Sequence, residues 1–333
     1  MNFEDFWHSL LLKLDPEIAH FIAKLGMRGG VFAPGMFSTD ESRTNLFGVG
    51  LDNPFGIAAG FDKHAKLHSR VRNYGFGWIE CGSFTWNGGR GNAKPRLFRL
   101  EDGSLLNRMG LNNCGAIRAS IIFSRVKDQN SFAVNIAKTH DPNIVGDAAI
   151  EDIVESYSSL KNFGIYTAIN VSCPNTREGK TFEMPIIFQE LNSALKEKGK
   201  GRPLVYKLSP GLGREKLERL VEISDDFADG YEVVNTQGIE HHEYGNGGLS
   251  GSRLRSAAVE SVRTLRGMTD KPIIAVGGIS TEEDAYALRQ AGATVFLVFT
   301  GFVYRHKNNP YAGPRFAHRI NQEYFDLVRK NGD

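Results

Sequence analysis

The sequence predicts an α/β fold, a (β/α)8 TIM barrel, on three observations. Eight short β-rich runs recur along the chain, each nearly continuous in apolar residues. Segments with helical spacing separate them. Glycine, amide and hydroxyl residues collect where the runs end. Continuous apolar runs are what parallel strands buried on both faces require. Eight βα units in series favour closure into a barrel, with a doubly wound sheet as the alternative.

Residues 1–45 precede the first run and are expected to form a helical extension of two helices, set before a barrel of residues 46–333. In Phe3–Leu14, the side chains of Phe3, Phe6, Trp7, Leu10 and Leu11 share one stripe. Periodicity favours packing of that stripe on the barrel; a membrane-surface or apolar-ligand element is the functional alternative. The runs follow in order: Pro54–Ala59, Gly77–Gly82, Phe132–Ala137, Tyr166–Ser172, Pro203–Ser209, Tyr231–Thr236, Pro272–Gly278 and Thr294–Thr300. A long insertion, Ser83–Asn112, follows the second run. It leaves from a strand's C-terminal end and is expected to line the site. Gly213–Gly230 has apolar residues at helical spacing. Ser280–Ala293 is the clearest helix, with Ser280 and Glu283 as an S-x-x-E capping box and Gly292 at its end.

Composition bounds the function. Hydrophobic content of 41% and charged content of 23% describe an ordinary soluble domain with ample core. A net charge of +2 argues against a nucleic-acid partner. The cysteines are Cys81, Cys114 and Cys173, an odd number without the short spacing of a zinc knuckle or dithiol, which points to a reducing compartment. No stretch has the length and hydrophobicity of a membrane span. Glu4 and Asp5 stand where a signal peptide would be basic, so none is expected.

The strand ends carry the chemistry in a barrel. Here they offer Gly60 and Lys63, Gly82 and Ser83, Asn135, Asn170 to Asn175, Lys207, Asn235 and Thr236, Gly277 and Gly278, and Thr300 and Gly301. Amides, hydroxyls and two lysines converge, and no carboxylate cluster is expected among them. Such a set suits a flat polar heterocycle rather than a divalent metal. His241, His242 and Glu243 form the tightest metal-like cluster, but beside Gly-rich Tyr244–Gly248 they read as an exposed loop, and no metal is expected. Gly247–Gly251, Val276–Gly278 and Thr300–Gly301 can turn backbone N–H groups toward one anion, a recurrent phosphate site after strands seven and eight. Lys63 and Lys207 admit three readings: snorkelling to solvent, an imine-forming Lys207, or cationic partners of a cofactor that becomes anionic on reduction.

Several stretches together resemble the dihydroorotate dehydrogenases. They are NPFGIAAGFDKHA, GFGWIECGSFT, GNAKPRLFRLEDGSLLNRMGLNN, INVSCPNT, GGLSG and AVGGI, in the family's order across nearly the whole chain. LDPEIAH and PRLFRL resemble the quinone-reducing, membrane-associated class, whose N-terminal helix pair forms a quinone entrance. The resemblance implies FMN, contacted by Ala58, Ala59, Gly60, Ser83, Asn135, Asn170, Lys207 and Val234, with Gly251, Gly278, Phe299 and Thr300 at its phosphate end. It implies dihydroorotate on Lys63, Asn107, Arg108, Met109, Gly110, Leu111, Asn170, Asn175, Asn235 and Thr236, and Arg99 facing a quinone tunnel.

The implied reaction sends a hydride from C6 of dihydroorotate to flavin N5 and the C5 proton to Cys173, which holds the family's base position. Lys207 would stabilise the reduced ring electrostatically. The quinone class carries serine at the position of Cys173 and phenylalanine at that of Leu111, and continues differently from CPNTREGK; in all three the chain resembles the soluble class. A thiol, with a pKa of about 8.5 when free, is the more acidic group and could serve as a thiolate. Cys81 and Cys114 are read as structural. The expected function is FMN-dependent oxidation of dihydroorotate to orotate in pyrimidine biosynthesis. A quinone is the expected acceptor, with the protein peripheral on the cytoplasmic side of a membrane. The alternatives are a soluble acceptor such as fumarate (and a cytoplasmic location), another dihydropyrimidine-like substrate, or a flavin-free phosphate-binding lyase using Lys207.

Overall fold

A computed structural model describes residues 8–172, 181–304 and 313–332. Phe3, Phe6 and Trp7 of the proposed first stripe lie outside them. Residues 8–11 are helical. Helix α1 (Pro16–Gly29) starts at a proline, which loses nothing by lacking an N–H there. Asp15 caps it, accepting from the amides of Glu17 at 3.0 Å and Ile18 at 3.1 Å.

The hairpin β1 (Thr44–Leu46) and β2 (Val49–Leu51) was not anticipated in a region read as helical up to residue 45. Its Leu46 and Leu51 are fully buried against Trp78, Ile274 and Val295. Those residues begin or lie early in barrel strands, so the hairpin plugs the barrel's N-terminal end.

Eight strands close the barrel, and all eight neighbouring pairs are parallel. The chain runs through β3 (Phe55–Ile57), β4 (Trp78–Phe84), then β5 (Leu97–Arg99) and β6 (Leu105–Asn107) in the insertion. It continues through β7 (Phe132–Ile136), β8 (Thr167–Asn170), β9 (Leu204–Leu208) and β10 (Gly230–Val233). After β11 (Gln237–His241) and β12 (Gly245–Ser250) come β13 (Ile273–Val276) and β14 (Val295–Val298). The eight predicted runs are the eight barrel strands β3, β4, β7, β8, β9, β10, β13 and β14, with ends moved by a few residues. Trp78 fills the interior only because Gly56 faces it: a Cβ there would lie 2.7 Å from the indole.

Helices α2 (Ala116–Phe123), α3 (Asp147–Leu160), α4 (Pro185–Glu197), α5 (Arg214–Ser224), α6 (Arg255–Arg266) and α7 (Glu282–Ala291) follow successive strands. The short α8 (Thr300–Val303) follows β14, and α9 (Phe316–Asn331) then covers the seam between β14 and β3. There the Tyr324 ring sits 5.4 Å from Phe55 and 5.5 Å from Phe296. The capping box of α7 is one residue later than expected. Thr281 and Asp284 form it, not Ser280 and Glu283, because the backbone turns helical at Glu282.

The remaining strands form a separate antiparallel sheet in the order β11–β12–β6–β5. It joins the insertion after the second barrel strand to the segment after the sixth, around Leu100, Leu106 and Leu249. His241 ends a strand of this sheet instead of lying in a free loop, and its ring stacks on those of His242 and Tyr244. Among the described residues no three His, Cys, Asp or Glu side chains gather as a metal site.

Candidate active site

Parallel register sets the site. Glu232 on β10 pairs with Lys207 on β9, which pairs with Asn170 on β8. The three residues therefore form one row, and all three are buried. Lys207 Nζ lies 2.5 Å from Glu232 Oε1 and 3.6 Å from Glu80 Oε1 on β4. Glu80 also accepts from the Asn135 amide at 2.9 Å and the Tyr166 hydroxyl at 2.8 Å. Burial opposes the Lys207 charge, but the two carboxyls outweigh it and raise its pKa above that of free lysine. The expectation of lysines without carboxylates thus needs correction. Glu80 and Glu232 sit mid-strand, so an inventory of strand ends passes over them. A lone glutamate in a doubly buried apolar strand was the available signal.

Lys207 does not snorkel to solvent. Nor is it poised as an imine-forming amine, which needs a lowered pKa and a neutral nitrogen.

From the last residue of β8, a polar chain runs outward. Asn235 Nδ2 donates to Ser172 Oγ at 2.5 Å and to Asn170 Oδ1 at 3.2 Å. Ser172 Oγ donates in turn to Asn170 Oδ1 at 2.8 Å. Thr236 N donates to Asn235 Oδ1 at 2.8 Å. Asn107, reaching in from β6, donates to the Gly248 carbonyl at 2.9 Å. Ser172 was overlooked as a site residue, although it stands in the motif that drew attention to Cys173. Cys173 and Asn175 lie outside the described residues.

The first two strand ends are knitted together. Gly60 N donates to Gly82 O at 2.5 Å, and Gly82 N to Asp62 O at 3.1 Å. Lys63 Nζ donates to the Gly60 carbonyl. Burial first, then the Lys24 and Arg96 charges, lower the Lys63 pKa to about 7. Ala58 is buried, donating to Val298 O, whereas Ala59 and Ser83 are half-buried. Val234, also buried, donates to Val276 O at 2.8 Å. At the other side, Ser250 and Thr300 hydroxyls meet at 2.9 Å beside Gly251 and Phe299. Gly251 has φ +104° and Gly278 φ +76°, and a Cβ at either would press on neighbouring backbone.

Two expected site arginines hold backbone carbonyls in this structure. The Arg108 guanidinium donates to the carbonyls of Pro95 and Tyr244 and lies over the Phe98 ring, so it braces the insertion sheet. Met109, Gly110 and Leu111 form the adjoining turn; the Met109 carbonyl accepts from Asn92 N, and Leu111 has φ +49°. Arg99 donates to the carbonyls of Leu12 and Leu14 at 2.8 and 2.7 Å, clasping the end of the first helix. His20 on α1 is 3.1 Å from the Phe61 carbonyl and stacks 6.1 Å from Phe299, which brings the helical extension to the barrel mouth.

The residues present fit a flavin. Asn135 Oδ1 is a buried acceptor with no partner among the described residues, such as a ring N–H would satisfy. A buried cation stands beside the amide row, and glycines line the Ser250–Thr300 corner. A (β/α)8 barrel with amides, hydroxyls and a charge-stabilised lysine at its strand ends is a barrel enzyme built to hold a polar heterocycle.

The chain belongs to the dihydroorotate dehydrogenase family, whose family model matches residues 42–325. It is 35% identical over 342 residues to a dihydroorotate dehydrogenase (quinone) of Halobacterium salinarum, covering 97% of this chain and 95% of that one. It is 34% identical to one of Christiangramia forsetii, covering 95% and 96%. Among solved structures, DHODH of Eimeria tenella in complex with ferulenol superposes with a TM-score of 0.85 at 28% identity, covering 97% and 96%.

Proposed function

We propose that the protein oxidises dihydroorotate to orotate in pyrimidine biosynthesis, with FMN as cofactor and a quinone as electron acceptor. Full-length similarity to relatives named as quinone-type enzymes carries this reading. Bound FMN would supply the two-electron acceptor for the substrate's hydride. Ala58, Ala59, Gly60, Ser83, Asn135, Asn170, Lys207 and Val234 would hold its ring, and Gly251, Gly278, Phe299 and Thr300 its phosphate. The Lys207 ammonium, paired with Glu232 and Glu80, would supply positive charge to the ring when it is reduced. Asn107, Asn170, Asn175, Asn235 and Thr236 would orient the substrate ring, and Lys63 would meet its carboxylate. Cys173, next to Ser172, would take the C5 proton.

Residues 1–45 would serve as the membrane and quinone element and residues 46–333 as the catalytic barrel. No helix among the described residues is long and apolar enough to cross a membrane. Helix α1, however, exposes Ile18, Phe21 and Leu25 at 51, 65 and 56% of their surface. That face would rest on the cytoplasmic side of a membrane and admit the quinone past Arg99 and His20.

Anaerobic stopped flow tests the chemistry. Cys173→Ala should keep its flavin yet reduce it with dihydroorotate at least about a hundredfold more slowly. A wild-type rate in that variant would remove Cys173 from the mechanism. Turnover with fumarate but not with quinones would reassign the acceptor.

A further inference from the structure

Glu232 pairs with Lys207 but lacks the neutral donors that Glu80 has. Glu80 is satisfied by the Tyr166 hydroxyl and the Asn135 amide. Glu232 receives neither, and its oxygens have no hydrogen-bond partner among the described residues; the Lys207 ammonium lies 2.5 Å from its Oε1 and 3.6 Å from Glu80 Oε1. Both glutamates are 0% exposed. The titratable groups facing Glu232 are Glu80 from β4, Lys207 from β9 and Tyr166 at the start of β8.

One buried ammonium therefore stands against two buried carboxyls. Two ionised carboxylates would leave a net buried negative charge, which is costly. The nearby Glu80 carboxyl therefore raises the affinity of Glu232 for a proton. The proton goes to Glu232 because the Glu80 oxygens already accept from the Asn135 amide and the Tyr166 hydroxyl. Burial and Glu80 push the Glu232 carboxyl well above the usual range, against the pull of Lys207. Burial likewise keeps the Tyr166 hydroxyl neutral.

Lys207 joins this cluster to the barrel mouth. Negative charge arriving on its far side competes for the same ammonium. An ionised Glu232 then loses much of its stabilisation, and its affinity for a proton rises. We propose that Glu232 is a redox-linked positioning residue that acts through Lys207: at pH values high enough to ionise it beside oxidised flavin, it takes up one solvent proton when the flavin beside Lys207 is reduced and releases it on reoxidation. The inference rests on the proposal that FMN occupies this site.

The balance is simple. Substrate delivers two electrons and one proton as hydride. The Glu232 carboxylate adds a second proton from solvent and becomes a carboxylic acid, with no further electron moved. Two protons per two electrons double the pH slope of the midpoint potential relative to one. The doubling is confined to pH values at which Glu232 is ionised beside oxidised flavin and protonated beside reduced flavin.

The test is spectroelectrochemical titration of the purified flavoprotein from about pH 6 to about pH 10, which spans neutral and alkaline conditions. Wild type should show a twofold steeper segment, and Glu232→Gln a single shallow slope throughout. Equal slopes in both proteins overturn the proposal while leaving FMN binding intact. A colourless wild-type protein overturns the flavin reading itself, and this one with it. Should Glu232→Gln fail to hold flavin, redox-difference infrared of the wild type decides. A protonated-carboxyl C=O band must grow on reduction within the steep segment, and its absence overturns the assignment.

Discussion

The Asn235 side-chain amide donates to Ser172 Oγ at 2.5 Å, and Ser172 Oγ passes a hydrogen bond on to Asn170 Oδ1 at 2.8 Å. Ser172 thus aligns two amides from strands on either side of β9, and it lies next to the proposed base. Ser172→Ala leaves part of the Asn235 amide without its acceptor, a loss of about 1–3 kcal/mol for a buried group. Orotate binding should weaken about tenfold or more, with flavin content unchanged. Calorimetric titration of orotate checks it; an unaltered dissociation constant would show that Ser172 aligns nothing the ligand uses.

Lys63 gives the site a pH dependence of known sign. Its pKa of about 7 means the ligand-free protein loses this cation as pH rises through neutrality. A bound carboxylate favours the charged form and raises that pKa. Orotate binding at pH 8 should therefore draw most of one proton from solution, seen as a buffer-dependent enthalpy. Lys63→Met should abolish the uptake. The same depressed pKa makes folding stability rise with pH between about 7 and 10.5, where the unfolded chain holds the extra proton. Orotate binding with no buffer dependence would separate Lys63 from the ligand.

The exposed face of α1 predicts an interfacial role that can be separated from the chemistry. Burying a phenylalanine or leucine at a surface contributes about 1.5–3 kcal/mol. Phe21→Glu with Leu25→Glu should lower co-sedimentation with lipid vesicles and quinone turnover by tenfold or more, on that estimate. Reduction of bound flavin by dihydroorotate should remain at the wild-type rate, because both side chains point away from the barrel. Undiminished turnover with a long-chain quinone in vesicles would assign the face to another partner.

The barrel was legible because burial on both faces leaves an unmistakable apolar run. Val295–Val298 and Ile273–Val276 could hardly be anything but interior strands. The sheet of β5, β6, β11 and β12 was not legible. Its strands are short and partly exposed, β12 is rich in glycine, and Asn107 meets Gly248 across 141 residues of chain. Nothing local names such a partner. The strand-end amides were found because each ends its own run. The grouping of Glu80, Glu232 and Lys207 depends on register across several strands, which no single run encodes. The bracing of Arg108 was hidden for a related reason: its neighbours Pro95 and Tyr244 come from separate segments of that unforeseen sheet.

The start of α7 shows how one residue of register changes a stability forecast. Read from sequence, the S-x-x-E pattern assigns the cap to Ser280 and Glu283. In the fold Thr281 is the N-cap, and buried Asp284 accepts from the amides of Ser280 at 2.8 Å and Thr281 at 3.0 Å while pairing with Arg255. Thr281→Ala should therefore cost about 1 kcal/mol, the usual value of a lost N-cap hydroxyl. Asp284→Ala should cost more, since it frees two amides and strips Arg255 of its partner. Glu283 is exposed and its replacement by alanine should stay within about 0.5 kcal/mol. Denaturant midpoints for the three variants give the order directly. A Glu283→Ala loss exceeding that of Thr281→Ala would restore the earlier frame and move the first turn of α7 back by one residue.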